Sequence, residues 1–233
     1  MKYVVISGVS RGLGRELAIQ FHRNHYAVIA YARNEKALND LKEELLSENA
    51  CPVFLFKADA MVKSEVQQFA AEVKKICTSP DVIVNNVAQY TEKVVSEENF
   101  DMLEEQMKIN FYSAWWLTHP FLNEMKQKKQ GHIFNICSVV SAKPRYNAAA
   151  YSISKGVLKF FNDVLKEEMN QYNVKVTAVL PGSINTSSWD GVDAPKAAFV
   201  QPADIAALML HILKNPSPAN IDEIVINPQL KGY

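Results

Sequence analysis

Seven short apolar runs alternate along this chain with longer stretches of helical periodicity, and that alternation restricts the fold more than any other feature. The runs lie at Tyr3–Ile6, Ala27–Tyr31, Val53–Lys57, Val82–Asn85, His132–Cys137, Lys175–Leu180 and Glu223–Ile226. Between them, helical spacing covers Gly12–Asn24, Glu35–Ser47, Lys63–Thr78, Phe100–Lys128, Ala148–Gln171 and Pro202–Lys214. Strands that alternate with helices predict a parallel sheet covered on both faces. At 233 residues, 48% of them hydrophobic, the chain can bury one substantial core, so a single domain over residues 1–233 is expected.

The first run ends in a turn that carries chemistry. Tyr3–Ile6 leads straight into Ser7-Gly8-Val9-Ser10-Arg11-Gly12-Leu13-Gly14 and then a helical pattern through Leu17, Ala18 and Phe21. Glycines between a strand and a helix let the backbone approach a pyrophosphate closely, and the free N–H groups at the helix start stabilise its charge. A second group lies far along the chain. Tyr151 and Lys155 are one helical turn apart, so phenol and ammonium share a face, and Ser138 precedes the tyrosine by thirteen residues. A free phenol has a pKa near 10, and an adjacent fixed cation lowers it. With a serine hydroxyl to hold a carbonyl oxygen, the trio suits proton transfer to a ketone or from an alcohol.

Charge and cysteine content narrow the surroundings. The 25 basic and 25 acidic residues cancel, so no global field favours nucleic acid or an anionic membrane, and neither is expected as a partner. Cys51, Cys77 and Cys137 have no metal-type spacing, so no metal site is expected, and the three read as reduced thiols of a cytoplasmic protein. The Asn185-Thr186-Ser187 sequon is then a coincidence of sequence.

In order along the chain, Ser7 to Gly14, Asn85-Asn86-Val87-Ala88, Asn110, Ser138, Tyr151 with Lys155, and Pro181-Gly182 resemble the motif series of the short-chain dehydrogenases/reductases, single-domain Rossmann oxidoreductases. The resemblance runs over essentially the whole length. It implies a doubly wound, seven-stranded parallel sheet and a nicotinamide cofactor. It also implies a catalytic set of Asn110, Ser138, Tyr151 and Lys155, in which Asn110 disturbs its helix and holds a water that links the lysine to solvent, while Lys155 lowers the phenol pKa and grips the nicotinamide ribose. Cofactor contacts are implied for Gly8, Ser10, Arg11, Gly12, Leu13, Gly14, Asn86, Val87, Ala88, Pro181, Gly182, Ile184 and Thr186, with the Thr186 hydroxyl and Ile184 backbone at the carboxamide and Asp59 at the adenine amino group. Two departures from the family pattern, Val87 and Ala88, fall at the end of the fourth strand.

The end of the second strand bears on which cofactor is used. NAD-preferring relatives carry an acidic residue there, whereas this chain has Ala32 followed by Arg33. A pocket with a cation and no anion, and with Arg11 as a second charge, favours NADP(H) over NAD(H). Substrate residues are expected at Ser138, Val140, Tyr146, Tyr151 and Trp189, with Gln89, Tyr90 and Arg145 near the mouth and residues 183–201, including Phe199, forming a lid. An aromatic-lined pocket points to a small to medium apolar ketone, a diketone or a pterin-like carbonyl. The alternatives are a 3-oxoacyl-acyl-carrier-protein reductase, for which Lys143 and Arg145 are the candidate docking cations, and a non-catalytic dinucleotide sensor. By the same resemblance the chain is expected to form a homodimer or homotetramer through its two long central helices, with Phe160, Phe161 and Leu165 as candidate contacts.

Overall fold

A computed structural model describes residues 1–214 and 219–229. Its seven strands are β1 (Lys2–Ser7), β2 (Tyr26–Ala32), β3 (Val53–Lys57), β4 (Val82–Asn85), β5 (His132–Ile136), β6 (Lys175–Pro181) and β7 (Glu223–Ile226). They form one parallel sheet in the order β3-β2-β1-β4-β5-β6-β7. This is the doubly wound Rossmann arrangement. Its strand order reverses between β1 and β4, and in such sheets ligands bind outside the carboxyl ends of the strands at that reversal.

Why both faces are covered can be read from β1 and β2. Every residue of β2 is buried, as in a strand with helices on either side. In β1, Val4 and Ile6 enter the core with Leu17 of α1 (Gly12–Arg23), Leu41 of α2 (Glu35–Glu48) and Met209 of α8 (Pro202–Lys214). Val5 points the other way, into the core holding Phe69 of α3 (Lys63–Ile76) and Leu165 of α7 (Ala149–Asn170). The period-2 alternation of a strand thus feeds two helical layers at once.

Most elements lie within two residues of their sequence-based bounds, but the stretch 100–128 is not one helix. It divides into α4 (Met102–Met107), a π-helical turn (Lys108–Tyr112), α5 (Ser113–Thr118), a 3-10 turn (His119–Phe121) and α6 (Leu122–Lys128). The π turn contains Asn110, whose side chain bonds out of the helix to both the N–H and C=O of Gln89, at 2.9 and 3.2 Å. Pro120 sits in the 3-10 turn, where its missing N–H breaks the α ladder. Phe100 precedes α4 and is fully exposed.

The expected contact residues on α7 face different ways. Leu165 is buried against the sheet, and Phe161 packs on Phe111 and Trp115 at 5.8 and 5.3 Å between ring centres. Of the three, only Phe160 faces outward, in a stripe with Ile153 and Val164. Among the described residues no helix is long and apolar enough to cross a membrane, and no cluster of metal-ligating side chains occurs. All three cysteines are unpaired.

Candidate active site

The ends of β1 and β4 are tied together by side chains. The Ser7 hydroxyl accepts from the N–H groups of Asn86 and Val87 at 2.9 and 3.2 Å, and Asn86 Nδ2 donates to the carbonyls of Ser7 and Gly8 at 3.0 and 3.1 Å. This clamp needs glycine at two neighbouring points. Gly8 has φ +76°, a left-handed conformation, and a Cβ on Gly14 would lie 2.1 Å from the Gly8 carbonyl oxygen and 2.4 Å from Asn86 Nδ2. Helix α1 starts beside this turn with no side-chain cap and no acidic residue in its first turn, so its N–H groups remain available to an anion. Arg11 stands exposed at that start and Ser10 beside it, whereas the Leu13 side chain is buried in the core and leaves only its backbone to the turn. Ala32 is buried at the end of β2, and the exposed Arg33 guanidinium lies 3.9 Å from the Asp59 carboxylate. Asp59 in turn accepts from Met61 N–H at 2.9 Å, and Ala88 is exposed beyond Val87.

The proton-handling group assembles at the ends of β5 and α7. Ser138 follows β5 at the start of a 3-10 turn, accepting from Val140 N–H at 3.3 Å, and its side chain acts on the Tyr151 phenol, drawing that pKa down. Lys155, almost wholly buried, donates from Nζ to the Ile136 carbonyl at 2.7 Å. Burial holds this ammonium below the usual lysine value, at about 8, and the neighbouring Cys137 only partly opposes that. The phenol differs from expectation. Although the ring keeps some open surface, burial pushes the Tyr151 hydroxyl up to about 12, with Ser138 working against that shift.

Asn110 has further partners. Besides bonding Gln89, its Nδ2 donates to Gln106 Oε1 and Ser154 Oγ, each at 2.9 Å. Sequence reasoning missed these partners, and it missed a buried polar ladder beneath the site. Asn85 donates to Thr118 and to Asn135, each at 2.8 Å, and Asn135 donates to Asn162 at 2.9 Å. The available signal was Asn135 itself, an amide between Phe134 and Ile136 in the buried β5.

The expected substrate residues do not all converge. Val140 is buried, while Tyr146 is 85% exposed and lines a shallow cavity of about 640 Å3 with Val95, Arg145 and Ile153, a cavity that Tyr151 does not line. Tyr90 is closer to the chemistry, its ring edge-on to Tyr151 at 5.0 Å. In segment 183–201, Ile184 pairs with Val200, and Trp189 packs on the buried Phe199 at 4.9 Å. The Thr186 hydroxyl accepts from Ser188 N–H at 3.4 Å while its methyl faces Gly12, so the segment roots over the glycine-rich turn. Pro181 is buried at the end of β6, and Gly182 lies against Asn227 and Pro228, where a Cβ would meet the proline ring at 2.9 Å.

The model of the short chain dehydrogenase family matches residues 2–197. The chain belongs to that family. It is accordingly an oxidoreductase. Among similar proteins, dehydrogenase/reductase SDR family member 7B of Mus musculus is 33% identical over 187 residues, 79% of this chain and 58% of the relative. An uncharacterized oxidoreductase of Staphylococcus epidermidis is 25% identical over 97% of both chains. Among solved structures, an alcohol dehydrogenase from the archaeon Thermococcus sibiricus, complexed with 5-hydroxy-NADP, superposes over the full length of both chains with a TM-score of 0.91 and 25% identity.

Proposed function

We propose that this short-chain dehydrogenase is an NADP(H)-dependent carbonyl reductase and alcohol dehydrogenase acting on a small to medium apolar ketone, diketone or pterin-like carbonyl. The observation that carries the reading is Tyr151 one helical turn from the buried Lys155, whose ammonium is anchored on Ile136 at the end of the strand that Ser138 follows. The dinucleotide fits the residues at the β1–β4 reversal. The turn that a Cβ on Gly14 would fill gives a backbone cradle for a pyrophosphate, and the exposed Arg11 and Arg33, the latter 3.9 Å from Asp59, would meet a 2'-phosphate, with Ala32 adding no second carboxylate. Asp59 would meet the adenine, Asn86, Val87 and Ala88 the nicotinamide ribose with Lys155, and Pro181, Gly182, Ile184 and Thr186 the nicotinamide side.

A bound nicotinamide dinucleotide would supply the hydride in reduction and take it in oxidation. The protein's own part is the proton and its placement. Ser138 holds the carbonyl oxygen, Tyr151 gives its phenolic proton to that oxygen, and Lys155 presents a fixed positive charge beneath the pair. Asn110 fixes the Gln89 segment that borders them. A phenol kept protonated up to about 12 starts in the state that reduction requires. Trp189, Tyr90 and Val140 would face the substrate.

Spectrophotometric assay of a carbonyl panel with NADPH and with NADH tests the reading. Turnover with NADPH at higher kcat/KM than with NADH is expected, and Arg33→Ala narrows that gap. Equal efficiency with both cofactors sinks the preference, and no turnover of any carbonyl favours a dinucleotide sensor. The pH profile follows from the two perturbed groups. Lys155 loses its charge as pH rises through about 8, so kcat for reduction is flat below that value and declines above it. Oxidation needs the phenolate, whose fraction grows toward about 12, so its rate rises with pH across the accessible range. Initial rates in both directions check this, and a reduction rate that climbs above pH of about 8 contradicts it.

We also propose that the chain pairs with copies of itself through the stripe of Ile153, Phe160 and Val164, which sedimentation at micromolar concentration checks. A cytoplasmic setting agrees with the three unpaired thiols.

A further inference from the structure

Helix α7 carries both Tyr151 and Lys155, yet its own sequence gives it no start. It opens on Ala148-Ala149-Ala150, with no side-chain cap and no acidic residue in the first turn. Alanine is a poor N-cap because it has no oxygen to accept the first N–H groups, which otherwise lack partners. Those groups are met instead by residues some fifty positions earlier, in the segment after β4. Ala149 N–H donates to the Lys93 carbonyl at 3.1 Å, and Ala150 N–H donates to Glu98 Oε1 at 3.0 Å. The same segment is pinned at three further points. Asn147 Nδ2 donates to Glu92 Oε1 at 2.7 Å, Gln89 is bonded twice to Asn110, and Tyr90 lies edge-on to the Tyr151 ring.

We propose that Glu98 is a positioning residue for the reaction: its carboxylate supplies, from outside the helix, the cap that α7 lacks, and so fixes the turn on which Tyr151 stands. Ala150 is the residue immediately before the phenol, so the bond to Glu98 restrains the backbone one position from the proton donor. A negative group is also the favourable charge at a helix N-terminus. Without it the first turn keeps the Lys93 carbonyl as its remaining cap, and the N–H next to Tyr151 is left without its acceptor. Lys155 lies a turn further in, where its buried ammonium is anchored separately on Ile136. Loss of the cap therefore displaces the phenol from the ammonium and from Ser138. It leaves the glycine-rich turn, on the far side of β4, as it was.

The inference rests on Tyr151 being the proton donor, and the test separates the two. Glu98→Gln keeps a carbonyl oxygen for Ala150 and removes the charge, whereas Glu98→Ala removes the cap. Three readouts are taken on each: kcat for reduction per NADPH-binding site, NADPH affinity by fluorescence titration, and amide hydrogen exchange of the peptide spanning Ala149–Lys155. Glu98→Ala is expected to lower kcat roughly tenfold or more, the scale of a small misplacement of a reacting group. It should leave NADPH affinity within about twofold and speed exchange in the first turn of α7, and Glu98→Gln should restore both kcat and slow exchange. A purely stabilising role would lower the melting temperature of Glu98→Ala while leaving kcat per site unchanged, and that result overturns the proposal. Unchanged exchange in Glu98→Ala overturns it as well, even if no carbonyl is turned over; absence of turnover in the unsubstituted protein would sink the reductase reading alone.

Discussion

Tyr151→Phe is expected to lower kcat for carbonyl reduction by a hundredfold or more, on the order of the contribution of a general acid, while NADPH affinity stays within about twofold. The substitution removes one oxygen atom. The ring remains to pack edge-on against Tyr90, so the wall of the site persists and the loss can be assigned to the proton. Ser138 cannot substitute, because an aliphatic hydroxyl is a far weaker acid than a phenol. Steady-state kinetics beside a fluorescence titration of NADPH measure the two quantities separately. A variant that reduces a good substrate at near the original rate removes Tyr151 from the role of acid.

Gly14→Ala is expected to cost both stability and cofactor binding, although alanine is the better helix former. A Cβ at this position would lie 2.1 Å from the Gly8 carbonyl oxygen and 2.4 Å from Asn86 Nδ2, so the start of α1 must move away from the clamp joining β1 to β4. Overpacking of this kind costs about 3 kcal/mol when backbone has to shift. For a chain of this size that corresponds to roughly 8 °C in melting temperature. Because the displaced atoms form the cradle proposed for the pyrophosphate, NADPH affinity should fall at least tenfold in the same variant. Gly156→Ala is the internal control. There a Cβ meets nothing within 4 Å in the middle of α7, so the change should be neutral or stabilising by about 0.5–1 kcal/mol. Thermal melts and NADPH titrations of the two variants should therefore differ in sign for stability, and a Gly14→Ala protein that melts and binds like the parent would mean that the turn is not under this constraint.

Much of this fold was legible before any coordinates. Residues of β2 are apolar without alternation because a strand covered on both faces has no wet side, and the spacing of Leu38, Leu41 and Leu45 in α2 is that of a helix with one buried face. Local composition therefore assigned the elements, and their strict alternation assigned the parallel sheet. The Tyr151–Lys155 pair was equally legible, since four residues on a helix fix a shared face wherever the helix is placed.

Other features depend on contacts that no local pattern records. The break at Lys108–Tyr112 arises because Asn110 has partners at Gln89 and Ser154, and its spacing from apolar neighbours reads as ordinary helix. Leu13 follows a phosphate-binding pattern yet faces the core, and Tyr146 lies near Tyr151 in sequence yet lines a cavity that Tyr151 does not. The phenol shows the distinction most clearly. Adjacency to a lysine argues for a lowered pKa, and the burial of Tyr151 raises it instead to about 12. Sequence spacing determined which groups could meet on one face of a helix. Desolvation and the caps at the start of α7 depend on what the rest of the chain packs around them: the cap on Ala150 comes from Glu98, more than fifty residues away, which only folding brings within hydrogen-bond range.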